Sequence, residues 1–338
     1  MSENHKTKAI GLVSGGLDSC LAARILIDQG VEVIGLHIIT PFFTKVGKGG
    51  EDEHLVERQA KEIGFAYHPL YPGQEYIDLI RNPEFGYGAN YNPCIDCHIY
   101  FTRKAAEVME EENAQFIFTG EVVGQRPMSQ NRPTLRQIEK HSGVEGYLLR
   151  PLSAKILPPT IPEKLGWVNR EALLDWAGRG RSRQMRLAEK YGLEHYESPA
   201  GGCLLTDPHH APRIRDLFNA GYADVNSVKL MQAGRYFHLG EDAILVVGRH
   251  ESDNRILANL AREDDILLEA EGGGSPLSVY RGKEREDLVN LAAAITRRYS
   301  RARKNPETPV KITNCATGKI RKVTPPLITP KETSEYMI

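Results

Sequence analysis

The chain of 338 residues carries 43 Lys and Arg against 44 Asp and Glu, a net charge of −1, with 41% hydrophobic and 26% charged content. That is the composition of a globular protein of roughly two or three domains. No stretch approaches the ~20 apolar residues that span a bilayer, and MSENHKTK at the start carries no apolar signal core, so the expectation is a cytoplasmic protein with no membrane partner. Five cysteines, two of them in a CxxC, fit metal or redox chemistry better than a disulfide framework.

The first apolar run, Ala9-Ile10-Gly11-Leu12-Val13, predicts a short buried strand, and Leu21 to Ile27 has helical spacing. Between them stands SGGLDS, Ser14 to Ser19. At such a strand-to-helix turn the helix N–H groups point outward and the helix dipole favours an anion, so phosphate is the natural ligand. Gly15 and Gly16 can take positive φ and admit an anion close to the backbone, while Ser14 and Ser19 add hydroxyl donors. The lysine of the mononucleotide P-loop is missing. Asp18 stands in the middle instead, a carboxylate that makes sense in a phosphate nest when Mg2+ bridges the two. The plainer reading is a glycine turn in which Asp18 or Ser19 caps the helix.

Val31 to Thr40, Ala66 to Tyr71 and Ala114 to Gly120 predict three further strands, with helices over Val56 to Ile63 and Tyr100 to Glu112 between them. This alternation predicts an α/β fold built on a doubly wound parallel sheet. Ligands of such sheets sit at the carboxyl ends of the strands, where Ser14 to Ser19, His37 and Gly120 all fall. Ser153 to Gly166 is proline-rich and predicts an extended crossing, followed by a helix running through about Glu189. Beyond Pro208 short strands (Ala243 to Gly248, Asp265 to Gly272) alternate with helices around Asp253 to Arg262 and Arg285 to Tyr299. The expected division is therefore 1–207 and 208–338, the second an α+β domain. From Arg281 to the end there are thirteen Lys and Arg against six Asp and Glu, which points to a polyanionic partner. Arg297, Arg298, Arg301, Arg303 and Lys304 cluster there and could track a phosphate backbone.

NPCIDCH places Cys94 and Cys97 two residues apart, a spacing that lets both thiolates face one metal or one partner sulfur. Cys203 follows Gly201 and Gly202, which imply a tight turn. Cys20 and Cys315 read as packing residues.

SGGLDS resembles the SGGxDS loop of the PP-loop ATP pyrophosphatases, of the adenine nucleotide alpha hydrolase-like fold, which split ATP between its α and β phosphates. Asn-Pro before a CxxC, and a later cysteine after a glycine turn, resemble the tRNA-thiolating members of that family over roughly residues 8 to 207. TGEVVGQRPMSQ (Thr119 to Gln130) and LLRPLSAK (Leu148 to Lys155) are similar to stretches of bacterial 4-thiouridine synthetases, whereas NPCIDC is more similar to the 2-thiouridylases. The basic end resembles the RNA-binding part of the NFACT proteins. The resemblance implies ATP at Ser14, Gly15, Gly16, Asp18, Ser19, His37 and Gly120. It implies catalytic roles for Asp18, Cys94 and Cys203, and contacts from Glu121, Gln125 and Gln130 to nucleotide or RNA. The partners implied are tRNA and a sulfur donor, either sulfide or a persulfide from a cysteine desulfurase.

For the sulfur chemistry two readings follow from the resemblance. In one, Cys94, Cys97 and Cys203 hold a [4Fe-4S] cluster with an open iron; in the other, Cys203 carries a persulfide and Cys94 resolves it. Zinc on the same thiols would accompany a ligase acting on a small molecule. The expected activity is ATP-dependent thiolation of a tRNA uridine, 4-thiouridine ahead of 2-thiouridine.

Overall fold

The computed structural model describes residues 6–43, 51–196 and 203–338, which form two compact units, the second beginning at Cys203. The first contains strands β1 (Lys8–Leu12), β2 (Glu32–Ile38), β3 (Ala66–Leu70), β4 (Phe116–Thr119) and β5 (Leu148–Leu149). Its helices are α1 (Leu17–Ile27), α2 (Glu51–Ile63), α3 (Gln74–Arg81), α4 (Cys94–Glu111), α5 (Arg132–Ser142), α6 (Ile161–Lys164) and α7 (Ser182–Tyr191).

The strands pair in the order β3-β2-β1-β4-β5, every pair parallel. This is a doubly wound sheet whose strand order reverses between β1 and β4, the crevice where such sheets bind ligands. Side chains alternate across the pleat. Ala9, Val33, Phe116 and Phe118 join the core that contains the apolar faces of α1 and α2. Ile10, Ile34, Ile117 and Leu148 face the opposite way, onto Ala105 and Val108 of α4.

Two local expectations change. The helix expected from Tyr100 begins at Cys94, directly after Pro93, so the CxxC forms its first turn. Asp96 fixes this start, its carboxylate accepting from the N–H of Glu84 at 2.7 Å and of Phe85 at 3.3 Å. The helix expected to run through Glu189 spans only Ser182–Tyr191, because prolines and glycines from Pro158 to Gly180 interrupt the preceding chain into short turns.

The second unit adds α8 (Ala211–Asn219), α9 (Val225–Gln232), β6 (Arg235–Gly240), β7 (Ala243–Val247), α10 (Glu251–Leu260), β8 (Ile266–Ala270), β9 (Ser278–Arg281), α11 (Glu286–Arg298), β10 (Val310–Asn314), β11 (Ile320–Val323) and α12 (Pro330–Glu335). Its sheet runs β11-β10-β8-β9-β7-β6 with antiparallel pairs throughout. α11 lays Val289, Ala292, Ala293 and Ile295 on it. Arg281 and Asp265, both fully buried, pair at 2.7 Å, and Ser227 Oγ accepts from the same guanidinium at 2.7 Å. Among the described residues no helix is long and apolar enough to cross a membrane.

Candidate active site

β1 ends in Leu12 and the chain turns through Ser14 to Gly16 into α1. Gly15 sits at φ +77°, a conformation that other residues enter only with strain. Gly16 is extended at φ −77° and precedes a helix with no side-chain cap. Among the described residues the N–H groups of Leu17 and Asp18 have no acceptor and remain available to an anion in a positive helix-end field, whereas the Ser19 N–H donates to the Gly16 carbonyl at 3.2 Å. Serines shape the turn: Ser19 Oγ donates to the Gly16 carbonyl at 2.8 Å and accepts from the Ser14 N–H at 3.3 Å. Gln59 of α2 fastens it from outside, donating to the Gly15 carbonyl at 2.9 Å and to the His195 carbonyl at 2.7 Å.

Asp18, in the first turn of α1, has two differently treated oxygens. Oδ2 accepts from Gln125 Nε2 at 2.9 Å and lies 3.2 Å from Arg181 Nη2; Oδ1 is buried with no hydrogen-bond partner. A buried carboxylate oxygen without a donor costs free energy, and a bound cation would supply what is missing. The helix-cap reading of Asp18 and Ser19 fails for the same reason, since neither side chain caps α1.

Gly120 follows β4 on the other side of the crevice. A Cβ there would lie 2.4 Å from the Ser19 nitrogen and 2.5 Å from the Asp18 carbonyl carbon. Its hydrogen is what lets the phosphate turn press against β4. Val123 pairs with Ala177, and the Gly178 N–H donates to the Val123 carbonyl at 2.8 Å, which ties the Arg181 segment to the same edge. His37, at the end of β2, has Nδ1 3.2 Å from Tyr67 Oη.

Of the three polar residues implied after β4, only Gln125 reaches the phosphate turn. Glu121 is buried and committed to structure: Oε2 accepts from Arg150 Nε at 2.9 Å and Thr119 Oγ1 at 3.0 Å, and Oε1 lies 3.1 Å from His98 Nδ1. Burial alone would raise its pKa, but the Arg150 charge, with His98, holds the carboxyl below the usual carboxylate range. Arg150 also pairs with Glu139 of α5. Gln130 is buried in the same loop, its N–H donating to the Arg126 carbonyl.

The thiol helix meets this loop. Burial pushes the Cys94 thiol up, opposed by the charge of Arg126, the residue next to Gln125. Adjacent positions of one loop therefore act on Asp18 and on Cys94. Cys97 Sγ is 3.2 Å from Tyr76 Oη of α3. Cys203 begins the second unit, and Gly201 and Gly202 before it lie outside the described residues. Among the described residues no group of three or more His, Cys, Asp or Glu is placed to hold a metal ion. Cys20 is buried on α1, which pushes its thiol up to about 12, and Cys315 is likewise raised, first by burial.

Gln59, Arg181 and the Arg150–Glu121 pair have no motif that announces them, since each acts across a large sequence separation. The signal for Arg181 is the run GRGRSR, whose two glycines let the chain turn beside the crevice.

Residues 4–155 match the model of the family described as "Thiamine biosynthesis protein (ThiI)", and residues 234–337 that of "NFACT protein RNA binding domain". The tRNA-specific 2-thiouridylase MnmA of Ruegeria sp. (strain TM1040) is 29% identical over 225 residues, 63% of this chain and 56% of that protein. MnmA of Photorhabdus laumondii is 30% identical over 45% of this chain and 44% of its own length. The chain thus spans about half the length of these relatives. A solved 4-thiouridine synthetase–RNA complex with bound ATP shares 18% identity over 64% of this chain and 53% of the other, with a TM-score of 0.36.

Proposed function

We propose that this chain, whose N-terminal unit belongs to the PP-loop ATP pyrophosphatase family of tRNA-thiolating enzymes, is an ATP-dependent RNA sulfurtransferase acting on a tRNA uridine. The observation that carries the reading is the uncapped α1 turn with a buried, unpartnered Asp18 Oδ1 at the strand-order reversal. ATP phosphates meet the N–H groups of that turn and the hydroxyls of Ser14 and Ser19. Asp18 would hold Mg2+, which supplies charge neutralisation on the pyrophosphate leaving group. His37 at the end of β2 and Gly120 after β4 flank β1 on its two sides, and both are assigned to the nucleoside.

The uridine carbonyl oxygen attacks the α-phosphorus, the bond to the β-phosphate oxygen breaks and pyrophosphate leaves. Sulfur then forms a bond to the activated carbon, and AMP departs with the former carbonyl oxygen. Cys94, Cys97 and Cys203 are the thiols assigned to sulfur delivery, from sulfide or a persulfide donor. Iron and sulfide analysis of anaerobically purified protein separates the cluster route from the persulfide route: about four irons per chain, lost in Cys94→Ala, Cys97→Ala and Cys203→Ala alike, support the cluster. A colourless, active protein overturns it.

The 4-thiouridine reading rests on the likeness of Thr119 to Gln130 and Leu148 to Lys155 to stretches of bacterial 4-thiouridine synthetases, and the 2-thiouridine reading on the thiouridylase relatives. Nucleoside mass spectrometry of tRNA from a deletion strain, with chromatographic separation of the two isomers, decides between them. Loss of neither nucleoside overturns the proposed function.

A further inference from the structure

We propose that the exposed face of α5 is a phosphate track that receives the RNA backbone beside the thiol helix, a surface on the first unit separate from the basic C-terminal end. This inference rests on the reading that the substrate is an RNA. α5 reads RPTLRQIEKHS and divides its residues sharply. Leu135 and Ile138 are buried, while Arg132, Arg136 and Lys140 are exposed. Successive members are four residues apart, so the three cations line one stripe, rising about 6 Å from each to the next.

Like charges at this spacing destabilise a helix by about 0.2–0.5 kcal/mol per pair. The one acid of the helix, Glu139, is withdrawn to Arg150. Among the described residues none of Arg132, Arg136 and Lys140 has an ion-pair partner, whereas Lys61, Lys104, Arg183 and Arg255 on other exposed helix faces each have one. The stripe also lines a concavity of about 680 Å3 together with His141 and Glu145. Arg103 of α4 adds a fourth exposed cation at its edge, its guanidinium donating to the His141 carbonyl at 2.7 Å.

The stripe leads from the reaction centre. α5 is capped by Asn131, whose side chain accepts from the Thr134 N–H at 3.0 Å and donates to the Pro127 carbonyl at 2.9 Å. The helix is thereby fixed to the loop carrying Gln125, which touches Asp18, and Arg126, whose charge acts on Cys94. A polyanion lying along Arg126, Arg132, Arg136 and Lys140 would pass the thiol helix at one end, where a base can be turned toward the crevice. A track of cations on a scaffold that also fixes the reacting groups sets the register of the backbone without reading sequence.

The test is equilibrium binding of bulk unmodified tRNA to the full chain at several KCl concentrations. The triple variant Arg132→Gln, Arg136→Gln, Lys140→Gln should show a log–log salt slope shallower by about 2 to 3, at ~0.7–0.9 for each phosphate contact. Its ATP affinity should match the wild type, and its melting temperature should be equal to or above it. The single variant Arg136→Gln, should the triple fail to fold, is expected to lose about 0.7–0.9 of slope. A wild type that binds tRNA with a slope unchanged in these variants overturns the track alone. A wild type with no tRNA affinity overturns the RNA reading and the track together.

Discussion

The turn after β1 and the turn after β4 lie side by side at the carboxyl edge of one sheet, and in each a glycine is followed within two residues by an acid. Around Glu121 one oxygen is held by Arg150 and Thr119, and the other, buried without a hydrogen bond, faces His98 Nδ1 at 3.1 Å. Around Asp18 one oxygen meets Gln125 and Arg181, while Oδ1 is buried with neither a hydrogen bond nor, among the described residues, an ion pair, and α1 has no side-chain cap. Since nearly all buried polar groups in folded proteins find partners, the buried Arg150 beside Glu121 marks a carboxylate that builds the fold, and Asp18 Oδ1 is the oxygen left open to a ligand. Substitution at the first should change stability, and at the second chemistry.

Asp18→Asn carries the largest expected effect. Pyrophosphate release in the presence of ATP and tRNA should fall by ~10³-fold or more, about 4 kcal/mol in barrier, with the melting temperature unchanged. Turnover at the wild-type rate would remove Asp18 from the mechanism. On the other side of the comparison, Arg150→Ala leaves the buried Glu121 and the half-buried Glu139 without their cation and should cost about 3–5 kcal/mol in denaturant unfolding. A loss below ~1 kcal/mol would mean that the pair is not structural.

Glu121→Gln should be milder and adds a pH signature. The Glu121 carboxyl titrates lower in the folded chain than in the unfolded one. Its contribution is therefore fully present above the ordinary carboxylate pKa and lost as pH falls toward the folded value. The stability gap between wild type and variant should narrow as pH drops below about 4.3, and a gap constant down to pH 3 would contradict the assignment. Gly120→Ala tests the contact between the two turns. Its Cβ would meet the α1 backbone at 2.4 Å, an overpacking expected to cost about 1–3 kcal/mol and to weaken ATP binding as the phosphate turn shifts. Wild-type stability and ATP affinity in this variant would show that the two turns are not coupled through Gly120.

The contrast between the two turns also marks what the sequence disclosed. SGGLDS, the β-α alternation and the strands at Val31 to Thr40 and Ala114 to Gly120 were legible, because local period and turn chemistry encode them. The role of Glu121 was not. In TGEVVGQ it looks as available to a nucleotide as Gln125 does, and only the sheet reveals that Arg150, 29 residues on, consumes it. Gly120 stands after β4, where its lack of a side chain admits the α1 backbone. The helix at Cys94 began earlier than its apolar spacing suggested, since Asp96 anchors the first turn through the N–H groups of Glu84 and Phe85. Long-range hydrogen bonds of this kind leave no period in the chain.

The second unit repeats the contrast among its arginines, and there the smallest effect is expected. The cluster Arg297, Arg298, Arg301, Arg303 and Lys304 looks uniform in sequence, but Arg297 is 1% exposed and donates to the Pro306 carbonyl, so it serves the fold. Arg301, Arg303 and Lys304 are exposed and, among the described residues, have no ion-pair partner. Deleting the chain from Leu277 would remove β9, β10 and β11 from a six-stranded sheet and test folding rather than RNA affinity. Single substitutions avoid this. Arg303→Gln should lower tRNA affinity only a few-fold and flatten the salt slope by about 0.7–0.9, with an unchanged melting temperature. Arg297→Gln should do the reverse, lowering the melting temperature while leaving the slope of the folded fraction intact. Equal slopes for wild type and Arg303→Gln, in a protein that still binds tRNA, would take Arg303 out of the RNA footprint, since an exposed cation that releases no counterion on binding makes no phosphate contact.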